Sequence, residues 1–113
     1  MKRFALIALL TCLAAPVFAH SPLRETTPAA GAELTTAPEV VTMTFSRPMR
    51  LTRVNWSVDD QSGTLDLSEY KSFATDFALP FSAETAGTYV IEWRGLGDDG
   101  HPQNGSFSFV VQQ

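Results

Sequence analysis

Cysteine is almost missing from this chain of 113 residues: there is one, Cys12. It lies in a stretch that reads as a secretory signal. Lys2 and Arg3 form a short basic start, and Phe4 to Ala15 are apolar or small apart from Thr11 and Cys12. Pro16-Val17-Phe18-Ala19 then ends on small residues of the kind that signal peptidase cuts after. The apolar run is too short to span a bilayer. A lipoprotein signal acylated at Cys12 fits less well, because Thr11 is bulky for the position before the cysteine and the apolar run continues past it. Removal of residues 1–19 is therefore expected, leaving residues 20–113 as one domain. Such a mature chain has no cysteine. Disulfides, thiolate nucleophiles and Cys metal sites are excluded, and the core alone must hold the domain together.

Basic charge is scarce too. Eight Lys and Arg stand against twelve Asp and Glu; loss of Lys2 and Arg3 leaves six against twelve, a net charge of −6. A small chain this acidic is a poor partner for nucleic acid, which is bound mainly through its phosphates. Helical periodicity and internal repeats are absent as well. Pro22, Pro28, Gly31 and Pro38 punctuate residues 20–39, which predicts extended segments and turns there.

What is present is alternation with period two. Val41, Met43 and Phe45 face one way and Thr42 and Thr44 the other; Val54, Trp56 and Val58 repeat the pattern. Asp59 to Gly63 reads as a turn, and Phe73 to Leu79 as a weaker strand ending at Pro80. Tyr89, Ile91 and Trp93 share a face of the next strand, as do Phe107, Phe109 and Val111 of the last. Short, half-polar strands with frequent turns predict an all-β sandwich or barrel with antiparallel pairing. The last two strands suit a hairpin, but the ten residues from Gly95 to Asn104 make a long connection for one. Rich in Gly, yet holding Asp98, Asp99 and His101, it reads as a loop kept for a function.

Histidine is rare too: two residues, His20 and His101. Asp99-Gly100-His101 reads either as a solvated turn or as half of a site. Two residues apart in an extended segment, Asp99 and His101 point to the same side, and Pro102 pushes His101 toward extended geometry. After cleavage His20 is either a frayed end or a chelator, offering its α-amine and ring Nδ1 together. The amine has a pKa of about 7.7–8.0, so a metal displaces its proton near neutrality. Two nitrogens from His20, one from His101 and an oxygen from Asp99 form a set that suits tetragonal Cu(II), with Zn(II) as competitor. Pro22 has no N–H, which excludes the terminal copper mode that needs a deprotonated third amide. Any terminal site must draw ligands from elsewhere in the fold.

These residues resemble the periplasmic CopC/PcoC copper-resistance family. His20-Ser21-Pro22-Leu23 with Pro28-Ala29-Ala30-Gly31 is similar to the family's mature start, and Val41 to Ser46 to its first hydrophobic strand. Tyr89-Val90-Ile91-Glu92-Trp93-Arg94 is similar to its penultimate strand. Asp99-Gly100-His101-Pro102 with Gly105-Ser106-Phe107-Ser108-Phe109 is similar to its signature ending. The resemblance implies a small Greek-key β-sandwich of about seven strands, immunoglobulin-like or cupredoxin-like. It implies one Cu(II) held by His20, Asp99 and His101, and a carrier or buffer rather than an enzyme. It also implies a soluble periplasmic monomer, working in some cases with an inner-membrane CopD-like transporter.

Two departures sharpen that expectation. Some members hold Cu(I) on a Met-rich loop, but here only Met43 and Met49 follow residue 19, and Met43 shares the core-facing pattern of Phe45. Binding of Cu(II) only is expected. Where the family commonly has an acidic residue after Phe-Ser, this chain has Arg47, which affects the tuning of any nearby metal. Arg47, Arg50 and Arg53 together read as a solvated edge or a docking patch, and Asp98 as loop solvation or a substitute for Asp99. Two further function classes share the features: a copper oxygenase with a histidine brace, and a metal-free immunoglobulin-like interaction module.

Overall fold

Alternating β-branched, aromatic and polar residues favour strands that bury one face, and strands are the only regular elements among the described residues. The computed structural model describes residues 22–82 and 84–112. Residues 1–19, read as the signal, and His20 lie outside them. The seven strands are β1 (Leu23–Thr27), β2 (Glu33–Leu34), β3 (Val40–Val58), β4 (Gln61–Thr64), β5 (Ala74–Pro80), β6 (Gly87–Gly97) and β7 (Pro102–Val111). The described residues contain no helix. The all-β architecture expected from the sequence is what the structure has.

β3 organises the whole. The two patterned segments around Phe45 and Val54 are one strand of 19 residues. Its ladder to β5 shifts register between Thr44 and Met49, across Ser46-Arg47-Pro48, and its ladder to β6 shifts again between Leu51 and Arg53. Shifts of this kind let a strand bend from one layer into another while its apolar residues stay inward. The first half of β3 lies between β1 and β5, and the second half between β4 and β6; β7 and β2 follow beyond β6. Pairing is antiparallel throughout except for β2, which runs parallel to β7 at Glu33–Val110 and Leu34–Val111.

The inward side chains close the space between the layers. Phe45 from the first half of β3 sets its ring edge-on to Phe77 of β5 at 5.7 Å and to Trp93 of β6 at 5.1 Å. Tyr89 stacks on Phe109 at 5.5 Å and donates its hydroxyl hydrogen to the Thr85 carbonyl at 2.6 Å. Trp56 is half-buried beside Tyr89 and Phe81. Two tryptophans lie over glycines of the neighbouring strand. A Cβ on Gly63, opposite Trp56, or on Gly105, opposite Trp93, would fall 2.5 Å and 2.9 Å from the respective indole Nε1. Both remaining methionines are core: Met43 is 0% and Met49 1% exposed.

Two sequence expectations need correcting. Gln61 to Gly63 belong to β4, so the first turn is only Asp59-Asp60, with Asp59 at a φ of 52° that Asp tolerates. The connection between β6 and β7 is residues 98–101 and not the ten from Gly95 to Asn104. Gly95 and Gly97, two of the three glycines that suggested a loop, are close-approach positions in β6. Gly95 is buried, and a Cβ there would lie 2.8 Å from the Arg50 carbonyl oxygen and 2.9 Å from Met49 Sδ.

Candidate metal centre

A four-residue hairpin must reverse the chain within one turn, and the residues after Gly97 do so with backbone bonds. Gly100 N–H donates to the Gly97 carbonyl at 2.9 Å, and Gly97 N–H to the His101 carbonyl at 3.0 Å. Gly100 has a φ of +85°, where a side chain would be strained. This turn brings Asp99 and His101 together. Asp99 Oδ1 accepts the His101 backbone N–H at 3.0 Å, and Oδ2 lies 3.0 Å from His101 Nδ1. The two side chains meet because the chain folds round Gly100 under an Asx-type bond, not because an extended segment aligns them as its period predicts. Donation first by the His101 backbone N–H, then by its side chain, holds the Asp99 carboxyl below its usual pKa. Asp99 is therefore a carboxylate at neutral pH. Both side chains face solvent, at 59% exposed for Asp99 and 77% for His101.

Asp98 turns the other way. Its two carboxylate oxygens accept from Arg47 Nη2 at 3.2 and 3.3 Å. Neither a free loop carboxylate nor a lone edge cation is therefore the right description of this pair. One residue earlier in β3, Ser46 grips the start of the described chain: its N–H and its hydroxyl both donate to the Pro22 carbonyl, at 2.8 and 3.3 Å. The stretches 22–23, 46–47 and 98–101 thus gather at one end of the sandwich, linked hand to hand. Sequence reasoning passed over Ser46. The signal for it was the polar Ser46-Arg47-Pro48 break in an otherwise alternating strand.

Among the described residues no cluster of three or more His, Cys, Asp or Glu could hold a metal ion. Asp99 and His101 are a two-donor half-site, and His20, two residues before Pro22, lies outside the described residues. The buried sulfurs of Met43 and Met49 are not part of this surface.

Comparison with known proteins agrees with this architecture. Residues 23–112 match the family model for the CopC domain. Protein YobA of Escherichia coli (strain K12) is 29% identical over 97% of this chain and 94% of its own length. Copper resistance protein C of Escherichia coli is 25% identical, covering 83% of this chain and 82% of its own. In three dimensions the crystal structure of CopC from Methylosinus trichosporium OB3b superposes with a TM-score of 0.62 at 23% identity, over 82% of this chain and 94% of that one. That of PcoC, a copper resistance protein from Escherichia coli, gives 0.54 at 22% identity over 80% and 98%. Matched by its family model along almost all of its described length, the chain belongs to the CopC family.

Proposed function

We propose that this protein binds Cu(II) in the periplasm and carries or buffers it, without acting as an enzyme. The metal is its cargo. The ligands in this reading are the α-amine and Nδ1 of His20, freed by cleavage after Ala19, with Asp99 and His101 from the β6–β7 turn. The observation that carries it is the exposed Asp99–His101 pair at 3.0 Å, at the end of the sandwich where Pro22 is tied down. Two donors at right angles on one ion, each about 2.0–2.1 Å away, lie roughly 2.9 Å apart, so the pair needs little rearrangement to accept a metal. In sequence His20 is two residues before Pro22, and each Cα-to-Cα step is about 3.8 Å, so the tether to this end of the sandwich is short. The relatives named copper resistance protein C support copper as the metal.

Three nitrogens and a carboxylate oxygen favour Cu(II), which stands highest among the divalent ions for such ligands. The burial of both methionines argues against a thioether site for Cu(I). Exposure of the turn leaves an open side from which a partner, such as a CopD-like transporter, could take the ion. Metal uptake must displace the proton of the His20 α-amine, whose ordinary pKa is about 7.7–8.0, so affinity falls as pH drops below about 8.

The test is Cu(II) titration followed by electron paramagnetic resonance, on protein starting at His20 and on protein with one extra residue before it. Stoichiometric, nitrogen-rich tetragonal copper in the first alone is expected, with His101→Ala losing most of the affinity. Identical spectra from both forms would remove His20 as anchor. No metal-dependent rise in thermal stability would favour a metal-free interaction module instead.

A further inference from the structure

Six basic residues follow residue 19: Arg24, Arg47, Arg50, Arg53, Lys71 and Arg94. Half of them, Arg50, Arg53 and Arg94, stand exposed on the outer face of β3 and β6. Arg53 and Arg94 are direct partners in the antiparallel ladder. Like charges placed opposite each other on one sheet face repel and destabilise the pairing. Among the described residues neither guanidinium has an ion pair at contact distance, where the pairs are Arg47–Asp98 and His101–Asp99, and the one carboxylate on their face is Glu92. Arg53 is steadied only by its Nε, which donates to Asn55 Oδ1 at 3.4 Å. Two guanidinium groups are thus set side by side on a protein whose net charge is strongly negative.

They border an open cleft of about 380 Å³, walled by polar residues of β3, β6 and β7, Asn104 and Ser106 among them. A second hollow of about 220 Å³ shares Arg53, Asn55 and Glu92 with the first and extends over β4 to Ser62 and Thr64. The combined groove crosses four strands, a length that suits an extended chain better than a single small anion. Among the described residues the exposed large apolar side chains, Val40 and Phe73, line neither hollow, and the apolar residues that do, Trp56 and Val90 among them, are at least half-buried.

We propose that this groove is a docking surface for a carboxylate-rich segment of a partner protein, one carboxylate of which bridges Arg53 and Arg94. Paired Arg–carboxylate hydrogen bonds are the strong, directional kind, and a bridging anion turns an internal repulsion into an attraction. Glu92 is the one carboxylate lining both hollows, and it sets the charge the ligand must overcome. The surface needs no metal and stands whether or not copper is bound.

The test is a titration of the isotopically labelled, metal-free mature protein with a hexaglutamate peptide at low salt, followed by nuclear magnetic resonance. Shifts should concentrate at the amides of Arg53, Asn55, Arg94 and Asn104. Arg53→Gln/Arg94→Gln should weaken binding by about tenfold or more, as should salt at about 0.5 M. Glu92→Gln, which leaves both arginines in place, should tighten it several-fold. Shifts that fall elsewhere, or affinity unchanged in the double variant and in Glu92→Gln, would overturn the proposal. So would inorganic phosphate or phosphatidylglycerol vesicles binding this face more tightly than the peptide.

Discussion

β6 has two faces, and they do different work one residue apart. Tyr89, Ile91 and Trp93 are at most 1% exposed and carry the core, while Glu92 and Arg94 stand in water opposite Asn55 and Arg53. The strand then runs out into the turn that holds Asp99 and His101. The contrast teaches that stability and binding chemistry are separable here. The inner face has the contacts that folding requires, and the outer face and rim hold charges that folding does not need.

The strongest way to break that separation is on the inner face. Trp93→Ala removes a fully buried indole packed against Phe45 and over Gly105, and should cost about 3–5 kcal/mol, read from denaturant unfolding. A loss below about 1 kcal/mol would show that the core is not centred there. Gly105→Ala sharpens the point. Its Cβ would meet Trp93 Nε1 at 2.9 Å and two ring carbons at 3.0 Å, and should cost about 1–3 kcal/mol by crowding. Gly100→Ala meets no neighbour, yet its φ of +85° should cost about 1–2 kcal/mol through backbone strain alone.

Smaller effects are expected at the rim. Arg47→Ala breaks an ion pair whose side chains are 70% and 34% exposed, and should change stability by less than about 1 kcal/mol. His101→Ala should leave the unfolding midpoint almost unmoved in the absence of metal. It should also raise the Asp99 pKa only part of the way to normal, because the larger share of the lowering comes from the residue 101 backbone N–H, which alanine keeps. A carboxyl whose pKa is depressed on folding adds stability above its unfolded value, and that addition is lost as pH falls through the folded value. The Asp99 turn should therefore loosen only in acid, below pH about 4, which carboxyl-carbon resonances would follow.

How much of this was legible in the sequence follows the same division. The inward sets Val41–Met43–Phe45, Tyr89–Ile91–Trp93 and Phe107–Phe109–Val111 were plain, because a buried face imposes its period on local residues. The continuity of β3 was hidden, since Ser46-Arg47-Pro48 looks like an end and only the register shift makes it a bend. Glycines 95 and 97 looked like loop and are strand, because their reason lies in Met49, Arg50 and Gln103 on neighbouring chain segments. Asp99 and His101 were legible as a pair by spacing, though the conformation that joins them was not. The bonds of Ser46 to Pro22 and Arg47 to Asp98 join residues 24 and 51 apart, and no local pattern encodes such a meeting.

The single strand shared by both layers has a consequence in time. β3 reaches back to β1 through Leu23–Phe45, and forward to β5 through Val41–Leu79 and to β6 through Arg53–Arg94. β2 waits for the far end of the chain at Val110. Four of the six pairings therefore close a long loop of chain before they gain anything, with only β3–β4 and β6–β7 as local hairpins, a topology that folds slowly for its size. With β3 common to both halves, neither half can form its sheet ahead of the other, so folding and unfolding should proceed as one cooperative event. Hydrogen exchange should report a single protected unit, bounded by a turn at 98–101 that opens on its own.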